Sequence, residues 1–268
     1  MNGFDSVTYI MEDAREASRL EEKVDPGAWA RKYLAPYTRD GAELLSVGCG
    51  PGVILQAATA LRPGVKGTGV DISESRIREA VQKNNGKPRL TFVRGDAQEL
   101  EFPANTFDLV YCRMLLEYLP RKKEAVAEMV RVCKPGGTVL LQDLDGQLLW
   151  HYPEDPVMQR GVEAVVAALS AGGFDPYVGR KLFWFAQNAG LSNLNVQAES
   201  YHLMAGAVSQ RILNQWELKL DIAKPQMAKA LGSTAEAEEQ IQRFLAYLCR
   251  PDTLTYSTVF TVVGEKPS

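Results

Sequence analysis

The chain has 268 residues, of which 46% are hydrophobic and 24% are charged. This balance is that of a folded globular protein and excludes a disordered, collagen-like or disulfide-scaffold class. Thirty Lys and Arg residues against 33 Asp and Glu residues give a formal net charge of -3. Because no protein-wide positive field draws the chain to nucleic acid or acidic lipid, neither partner is expected.

The cysteines and the N-terminus indicate a cytoplasmic protein. Cys49, Cys112, Cys133 and Cys249 lie far apart and form no Cys-x-x-Cys pair, so neither a metal site nor a disulfide framework is predicted. Residues 1–22 lack the apolar core of a secretory signal, and no uncharged apolar run approaches the ~20 residues that span a bilayer. We therefore expect reduced thiols, a cytoplasmic location and no membrane contact.

Short apolar runs alternate with helical periodicity over residues 44–141, which is typical of βα units that form a parallel sheet. The predicted strands are 44–47, 68–72, 90–93, 107–112 and 138–141. In the helix after the second strand, Ser73 is the predicted N-cap, with Ile77, Ala80 and Val81 on the apolar face. The helix after the fourth strand is predicted to bury Val126, Met129, Val130 and Cys133 and to end at Pro135-Gly136-Gly137. This order predicts a doubly wound sheet.

The second half of the chain is less regular. Helices are predicted over 156–171 and 179–189, a strand over 194–198, then two more helices and a closing strand over 255–263. The last helix opens with the capping-box pattern Ser233-x-x-Glu236, and its apolar face consists of Ile241, Phe244, Leu245 and Leu248. Since no Ser/Gly-rich linker interrupts the chain, residues 1–268 are predicted to form one domain.

A glycine-rich turn, Gly48-Cys49-Gly50-Pro51-Gly52, follows the first strand. Without side chains the backbone can turn sharply there and approach a ligand closely. The dinucleotide fingerprint requires glycine where this chain has Val53, which favours a nucleoside over a pyrophosphate. Asp71, at the end of the second strand, suits a carboxylate that accepts hydrogen bonds from ribose hydroxyls, although helix capping is an alternative. Asp96, at the end of the third, can accept a hydrogen bond from an exocyclic amino group.

Five segments in this order and spacing resemble the successive motifs of class I S-adenosylmethionine-dependent methyltransferases. They are Leu44 to Gly52, Val70-Asp71-Ile72, Gly95-Asp96-Ala97, Phe107-Asp108-Leu109-Val110 and Arg131 to Gly137. The resemblance covers roughly residues 40 to 145. It implies an α/β fold with a doubly wound, seven-stranded Rossmann-like sheet whose last strand is antiparallel.

The same resemblance divides the chain and implies its cofactor, S-adenosyl-L-methionine. Residues 1–40 are expected to form an N-terminal helical arm and 41–145 the cofactor-binding core. Residues 146–268 are expected to supply acceptor-side helices and closing strands, with extra helices between the last two strands. The implied cofactor-binding residues are Tyr9 and Arg19 in the arm, Gly48, Cys49, Gly50 and Gly52 in the turn, Asp71 and Ile72 at ribose and adenine, Asp96 and Ala97 at the adenine amino edge, and Cys112 and Arg113 at the methionine group.

The expected activity is methyl transfer from S-adenosylmethionine to an O, N or C atom of a small, aromatic or polyketide-like metabolite. Asp143 and His151 are the candidate bases, because both lie at or beyond the carboxyl end of the fifth strand. Asp145, Tyr152 and His202 are polar neighbours in the same region. A structural role is the alternative for each of them.

Two other functions remain open on the sequence. The chain could bind S-adenosylmethionine on the same fold in a non-methylating or sensory role, or it could be a nucleotide-dependent oxidoreductase, which Val53 disfavours. The expected partner is a small-molecule acceptor, and a monomer or a homodimer is expected. No metal ion is required by any of these predictions.

Overall fold

A computed structural model describes residues 24–171 and 173–268. The strands are β1 Glu43–Val47, β2 Lys66–Asp71, β3 Leu90–Arg94, β4 Phe107–Arg113, β5 Cys133–Tyr152, β6 Ser192–Ala205 and β7 Leu254–Glu265. The helices are α1 Pro26–Tyr33, α2 Val53–Thr59, α3 Glu74–Lys83, α4 Lys122–Val132, α5 Pro156–Ala171, α6 Leu182–Asn188, α7 Gln210–Leu231 and α8 Thr234–Leu248. Short 3-10 turns cover Ala35–Tyr37, Leu116–Tyr118 and Gly179–Lys181.

The strands form one seven-stranded sheet in the order β3-β2-β1-β4-β5-β7-β6. Strands β1 to β5 pair in parallel, and β7 runs antiparallel to both β5 and β6. The predicted Rossmann-like sheet with an antiparallel last strand is confirmed, as are the extra helices, α7 and α8, between the last two strands. Helix α1 belongs to the predicted N-terminal arm, whereas Tyr9 and Arg19 lie outside the described residues.

Each central strand supplies side chains to two apolar layers, one on each face of the sheet. Leu45 and Leu141 belong to the layer covered by α4 and α6. Their neighbours Leu44 and Leu140 belong to the layer covered by α1 and α2. Since successive side chains of a strand point to opposite faces, both faces of this sheet are buried.

Strand β5 is much longer than predicted. Its pairing with β4 ends at Gln142, but its pairing with β7 continues to Tyr152 beside Leu254. In β7, the segment from Thr261 to Leu254 forms the part of this pairing that lies beyond the parallel sheet. At about 3.3 Å per residue, this segment is roughly 23 Å long. We call this part, made of 143–152, 198–205 and 254–260, the strand extension.

Helices α5, α7 and α8 pack together against the strand extension, and we call them the cap. The cap has an apolar cluster of its own, formed by Met158, Met204, Trp216, Leu220, Ile241, Phe244, Leu245, Tyr247 and Leu248. This cluster contains all four residues of the apolar face predicted for α8. The predicted cap of α8 is also confirmed, because the Ser233 hydroxyl accepts a hydrogen bond from the Glu236 N–H at 3.1 Å.

Two details of the predicted helices are wrong. Val81 is 51% exposed, because Arg76 and Ala80 of α3, together with its C-cap residue Asn84, are the buried residues instead. These three residues are spaced four apart, so they lie along one side of the helix. Helix α4 ends at Val132, and Cys133 already has an extended backbone and begins β5.

Across the described ranges, no helix is both long enough and apolar enough to cross a membrane.

Candidate functional site

The glycine-rich turn joins β1 to α2 at the carboxyl edge of the sheet. Gly48, Gly50 and Gly52 all have positive φ angles, of 69°, 51° and 77°, which residues with a Cβ rarely adopt. The N–H groups of Gly48 and Cys49 donate hydrogen bonds to the Val70 carbonyl at 2.8 and 3.0 Å. The turn is therefore fixed to the end of β2.

The three glycines have different surroundings. A Cβ on Gly52 would lie 2.5 Å from the Phe92 ring, and one on Gly48 would lie 2.9 Å from Leu115 Cδ1. A Cβ on Gly50 would meet no atom within 4 Å. The outer glycines thus allow close packing, whereas the middle glycine presents bare backbone to open space.

Asp71 fastens the middle of this turn. One carboxylate oxygen accepts a hydrogen bond from the Gly50 N–H at 2.9 Å, and the other accepts one from the Ser73 N–H at 3.0 Å. An ionised carboxylate has about four acceptor sites in all. Asp71 caps its local turn, as the alternative interpretation proposed, and also lies beside Gly50 at the predicted ligand edge.

Asp96 lies at the end of the neighbouring strand β3. Its carboxylate accepts hydrogen bonds from the backbone and side-chain N–H groups of Gln98 at 2.8 and 3.0 Å. The side-chain amide oxygen of Gln98 accepts one from the Arg121 backbone N–H at 2.9 Å, which links Asp96 to the start of α4. Ala97 is buried in the apolar layer, and Ile72 is half-buried. The structure thus brings Asp96 and Ala97 to the same edge as the glycine turn.

The two cysteines predicted at the site point into the protein. Cys112 is fully buried, and Cys49 packs against β2, where a Cβ added to Gly69 would lie 2.8 Å from its Sγ. Burial raises the pKa of both thiols well above the usual range. Both side chains therefore stay neutral and contribute to packing. Any contact of Cys49 or Cys112 with a ligand would be made by main-chain atoms.

Arg113 ends β4 at the same edge. One Nη donates a hydrogen bond to the Tyr201 hydroxyl at 3.4 Å, and the guanidinium lies 5.9 Å from the centre of the Trp29 ring. Its Nε atom is buried and has no hydrogen-bond partner within the described residues. Because a buried unpaired donor is costly, Arg113 is suited to an anionic ligand group at this edge.

Asp143 does not face open space. It is fully buried, and its carboxylate accepts hydrogen bonds from the backbone N–H groups of Leu115, Glu117 and Leu144 at 3.1, 3.2 and 2.9 Å. Burial raises its pKa to about 6, while these backbone donors act in the opposite direction. Both oxygens are thus occupied by main-chain donors, an arrangement that fixes the chain after β4.

Asp145 is likewise engaged by the protein. Its carboxylate accepts hydrogen bonds from Arg180 Nε at 3.0 and 2.9 Å, from Arg180 Nη2 at 2.5 Å and from the Arg180 backbone N–H at 2.8 Å. This two-pronged pairing attaches the turn before α6 to β5.

His151 lies farther along, in the strand extension. Its Nδ1 is 3.0 Å from the Thr255 hydroxyl, and its ring meets the edge of Phe244 with centroids 5.8 Å apart. The second histidine, His202, has its Nδ1 3.4 Å from the Ser257 hydroxyl. Since Thr255 and Ser257 are two residues apart on β7, both histidines lie on one face of the extension, toward the cap.

Sequence reasoning missed a support that joins the arm to the sheet. Trp29 Nε1 on α1 donates a hydrogen bond to the Gln142 side-chain carbonyl at 2.8 Å, and the Gln142 amide donates to the Thr261 hydroxyl at 2.7 Å. Trp29 and Gln142 are both buried. The partners are 113 residues apart, so no local pattern signals the contact.

Comparison with known proteins shows what this part of the chain is similar to. Residues 45–141 match the family model of a methyltransferase domain. Phosphatidylethanolamine N-methyltransferase from Cereibacter sphaeroides is 32% identical over 140 residues, which cover 51% of this chain and 64% of that protein. Demethylmenaquinone methyltransferase from Staphylococcus aureus is 37% identical over 114 residues, which cover 42% of this chain and 47% of that protein.

A solved structure shares the fold over most of the chain. Phosphoethanolamine N-methyltransferase 2 from Haemonchus contortus, in complex with S-adenosyl-L-methionine, has a TM-score of 0.58 at 17% identity and covers 90% of this chain and 53% of its own. The matched segments span 43% to 64% of the length of the first four curated relatives. Residues 45–141 thus match a methyltransferase domain, and the glycine turn and the acidic strand ends described above lie within this range.

Proposed function

We propose that the protein transfers a methyl group from S-adenosylmethionine to an O, N or C atom of a small, aromatic or polyketide-like acceptor. One observation carries the proposal. The bare backbone of Gly50 borders open space and is fastened by the Asp71 carboxylate at the carboxyl edge of a methyltransferase domain. Ligands of open α/β sheets bind at this edge.

The methyl donor fits the groups at this edge. The Asp71 carboxylate can accept hydrogen bonds from the ribose hydroxyls, and Asp96 can accept one from the adenine amino group. The buried Nε of Arg113, which has no hydrogen-bond partner among residues 24–171 and 173–268, suits the carboxylate of the methionine portion. The remaining proposed contacts are Ile72 and Ala97 at adenine, Gly48, Gly52 and the main chains of Cys49 and Cys112 around the turn, and Tyr9 and Arg19 from the arm.

The donor supplies an electrophilic methyl group bonded to a sulfonium sulfur. The acceptor atom provides the electron pair of the new bond, the S–C bond breaks, and its electron pair stays on sulfur. Alignment of two reactants can contribute roughly 7 to 11 kcal/mol without a covalent bond to the protein. The residues at this edge therefore act mainly by binding and orienting the two molecules.

The two candidate bases receive different roles. We assign Asp143 to positioning the chain after β4, because main-chain donors occupy both of its oxygens. His151 stays a candidate base on the cap side, for acceptors such as phenols that must lose a proton. Amine or carboxylate acceptors need no base.

Calorimetric titration of the full chain with S-adenosylmethionine, S-adenosylhomocysteine and NAD is the first test. We expect the first two to bind and NAD not to bind. The next step is a mass-shift screen of small acceptors for addition of one methyl group. Binding of NAD alone would contradict the proposal and favour the oxidoreductase. Binding of S-adenosylmethionine without transfer to any acceptor class would favour the non-methylating role.

A further inference from the structure

The cap contains a cavity of about 160 Å³ between α5, α7 and α8, and this cavity is partly open to solvent. Its wall is mainly apolar and includes Val162, Val165, Val166, Ala223, Met227 and Phe244. The polar side chains of Lys219, Gln226 and Gln240 also border it. A mainly apolar wall with a few polar groups is the composition of small-molecule sites.

The inward face of α5 is left incompletely covered by the protein. Val162, Val165, Val166 and Leu169 all border the cavity, and each is only half-buried. The residues between them that do not border it, such as Ala167, are exposed on the outer side of the helix. An apolar ligand would cover this face, because it removes apolar surface from water.

The cavity lies close to the proposed methyl-transfer site. Tyr118 and Phe174 border one part of it, and their rings are 5.5 Å apart. Tyr118 ends the 3-10 turn that follows Leu115, and the Tyr118 N–H donates to the Leu115 carbonyl at 3.0 Å. One such turn advances about 6 Å. Since Leu115 packs on Gly48, a single turn of chain separates the cavity wall from the glycine turn.

The volume of the cavity indicates the size of the apolar group that it can cover. A buried apolar cavity of about 150 Å³ accommodates one benzene molecule. The cap cavity is therefore suited to one aromatic ring or a chain of about six carbons.

We infer that this cavity binds the apolar part of the methyl acceptor, a neutral group of about one aromatic ring, and that its reacting atom lies on the Tyr118 side. This inference rests on the proposed function, because the role as acceptor site requires a methyl donor bound at the glycine turn. The same cavity would exclude acceptors that are positively charged throughout, because its wall is mainly apolar and the charged residue that borders it, Lys219, is itself a cation.

The experiment titrates the protein with fluorobenzene and detects binding by fluorine NMR of this ligand. Trifluoroethanol is the polar fluorinated control. We expect the wild-type chain to bind fluorobenzene saturably with a Kd below about 1 mM, and trifluoroethanol not to saturate. Ala223→Trp fills the cavity from α7 and should weaken fluorobenzene binding at least tenfold. Ala167→Trp places the same side chain on the exposed side of α5 and should bind as wild type does.

S-adenosylhomocysteine affinity, measured on the same samples, separates this inference from the proposed function. Ala223→Trp should leave that affinity unchanged, because Ala223 lies in the cap. Binding of S-adenosylhomocysteine without saturable fluorobenzene binding, or equal fluorobenzene binding by wild type and Ala223→Trp, would overturn the inference alone. Fluorobenzene binding without binding of either sulfur ligand would overturn the proposed function and the acceptor role together. If Ala223→Trp does not unfold cooperatively, Val165→Phe fills the same space from α5.

Discussion

The Asp143 carboxylate accepts a hydrogen bond from the Leu115 backbone N–H at 3.1 Å, and the Leu115 side chain in turn packs on Gly48. A fully buried acid on β5 therefore holds the segment that crosses the glycine turn. The same carboxylate oxygen also accepts from the Glu117 N–H. This relationship makes Asp143 a support of the proposed donor site.

We predict that Asp143→Asn destabilises the protein by about 1 to 3 kcal/mol. The Asn side chain would place its own N–H group against at least one of the backbone N–H groups that now donate to the carboxylate. That backbone donor would lose its acceptor, and a buried unsatisfied donor costs about 1 to 3 kcal/mol. Urea denaturation measures the loss. Asp40→Asn, at an exposed position, is the control and should change stability little.

Asp143 should also give stability a specific pH dependence. Its pKa of about 6 in the folded protein lies above the ordinary value of about 3.9. The folded state therefore retains a proton that the unfolded state has lost. The stability from this proton is fully present below about pH 4 and is lost as pH rises through 6. The difference in unfolding free energy between wild type and Asp143→Asn should therefore narrow from pH 4 to 7. A difference that widens with pH would show that the carboxyl is ionised throughout.

Gly50→Ala should abolish binding of S-adenosylhomocysteine with little loss of stability. The new methyl group meets no protein atom, but it occupies the space in which we propose that the ligand contacts the backbone. Gly86→Ala is the matched control, because Gly86 also has a positive φ, of 79°, and no neighbour within 4 Å of an added Cβ. Both variants should therefore lose similar stability, about 1 kcal/mol. Equal calorimetric affinities for the two variants would contradict the assignment of the turn.

Asp71→Ala should weaken S-adenosylmethionine binding about tenfold to a hundredfold. Charge-assisted hydrogen bonds to ribose hydroxyls contribute about 1.5 to 3 kcal/mol, which corresponds to that change in Kd. Because Asp71 also fastens Gly50, thermal unfolding should be recorded with the titration. Asp40→Ala is the control for loss of a carboxylate. An unchanged affinity in a folded Asp71→Ala would exclude the ribose role.

Trp29→Phe should loosen the N-terminal arm. The change keeps most of the apolar contact but leaves the buried Gln142 carbonyl oxygen without its donor, at a cost of about 1 to 3 kcal/mol. Limited proteolysis should cut the variant near α1 faster than wild type. Trp184→Phe, at a side chain that is 45% exposed, should be cut at the wild-type rate.

Much of the fold could be predicted because its signals are local. The glycine turn, the acidic strand ends and the capping box at Ser233 each occupy a few adjacent residues, and all three have the predicted structure. The predicted strands 138–141 and 194–198 fell short of β5 and β6, however. Their outer parts pair with β7 across large sequence distances, and strand preference depends on such partners.

The same limit applies to the roles of side chains. Asp143 follows a predicted strand and therefore looked like a site residue, but its partners Leu115 and Glu117 are 28 and 26 residues earlier. The residues next to Asp143 in the sequence do not indicate that these backbone N–H groups are its hydrogen-bond partners.

The cap has its own apolar cluster, distinct from the two layers that flank the sheet. Strands β5, β6 and β7 run through both regions, but the apolar cluster of the cap is separate from the layers of the sheet. Local unfolding of the cap therefore need not spread into the sheet. Amide hydrogen exchange should then divide the chain into two cooperative units, with cap amides exchanging through a smaller opening than those of β1 and β4. Such an arrangement would let the acceptor enter and leave through fluctuations of the cap while the glycine turn keeps its shape.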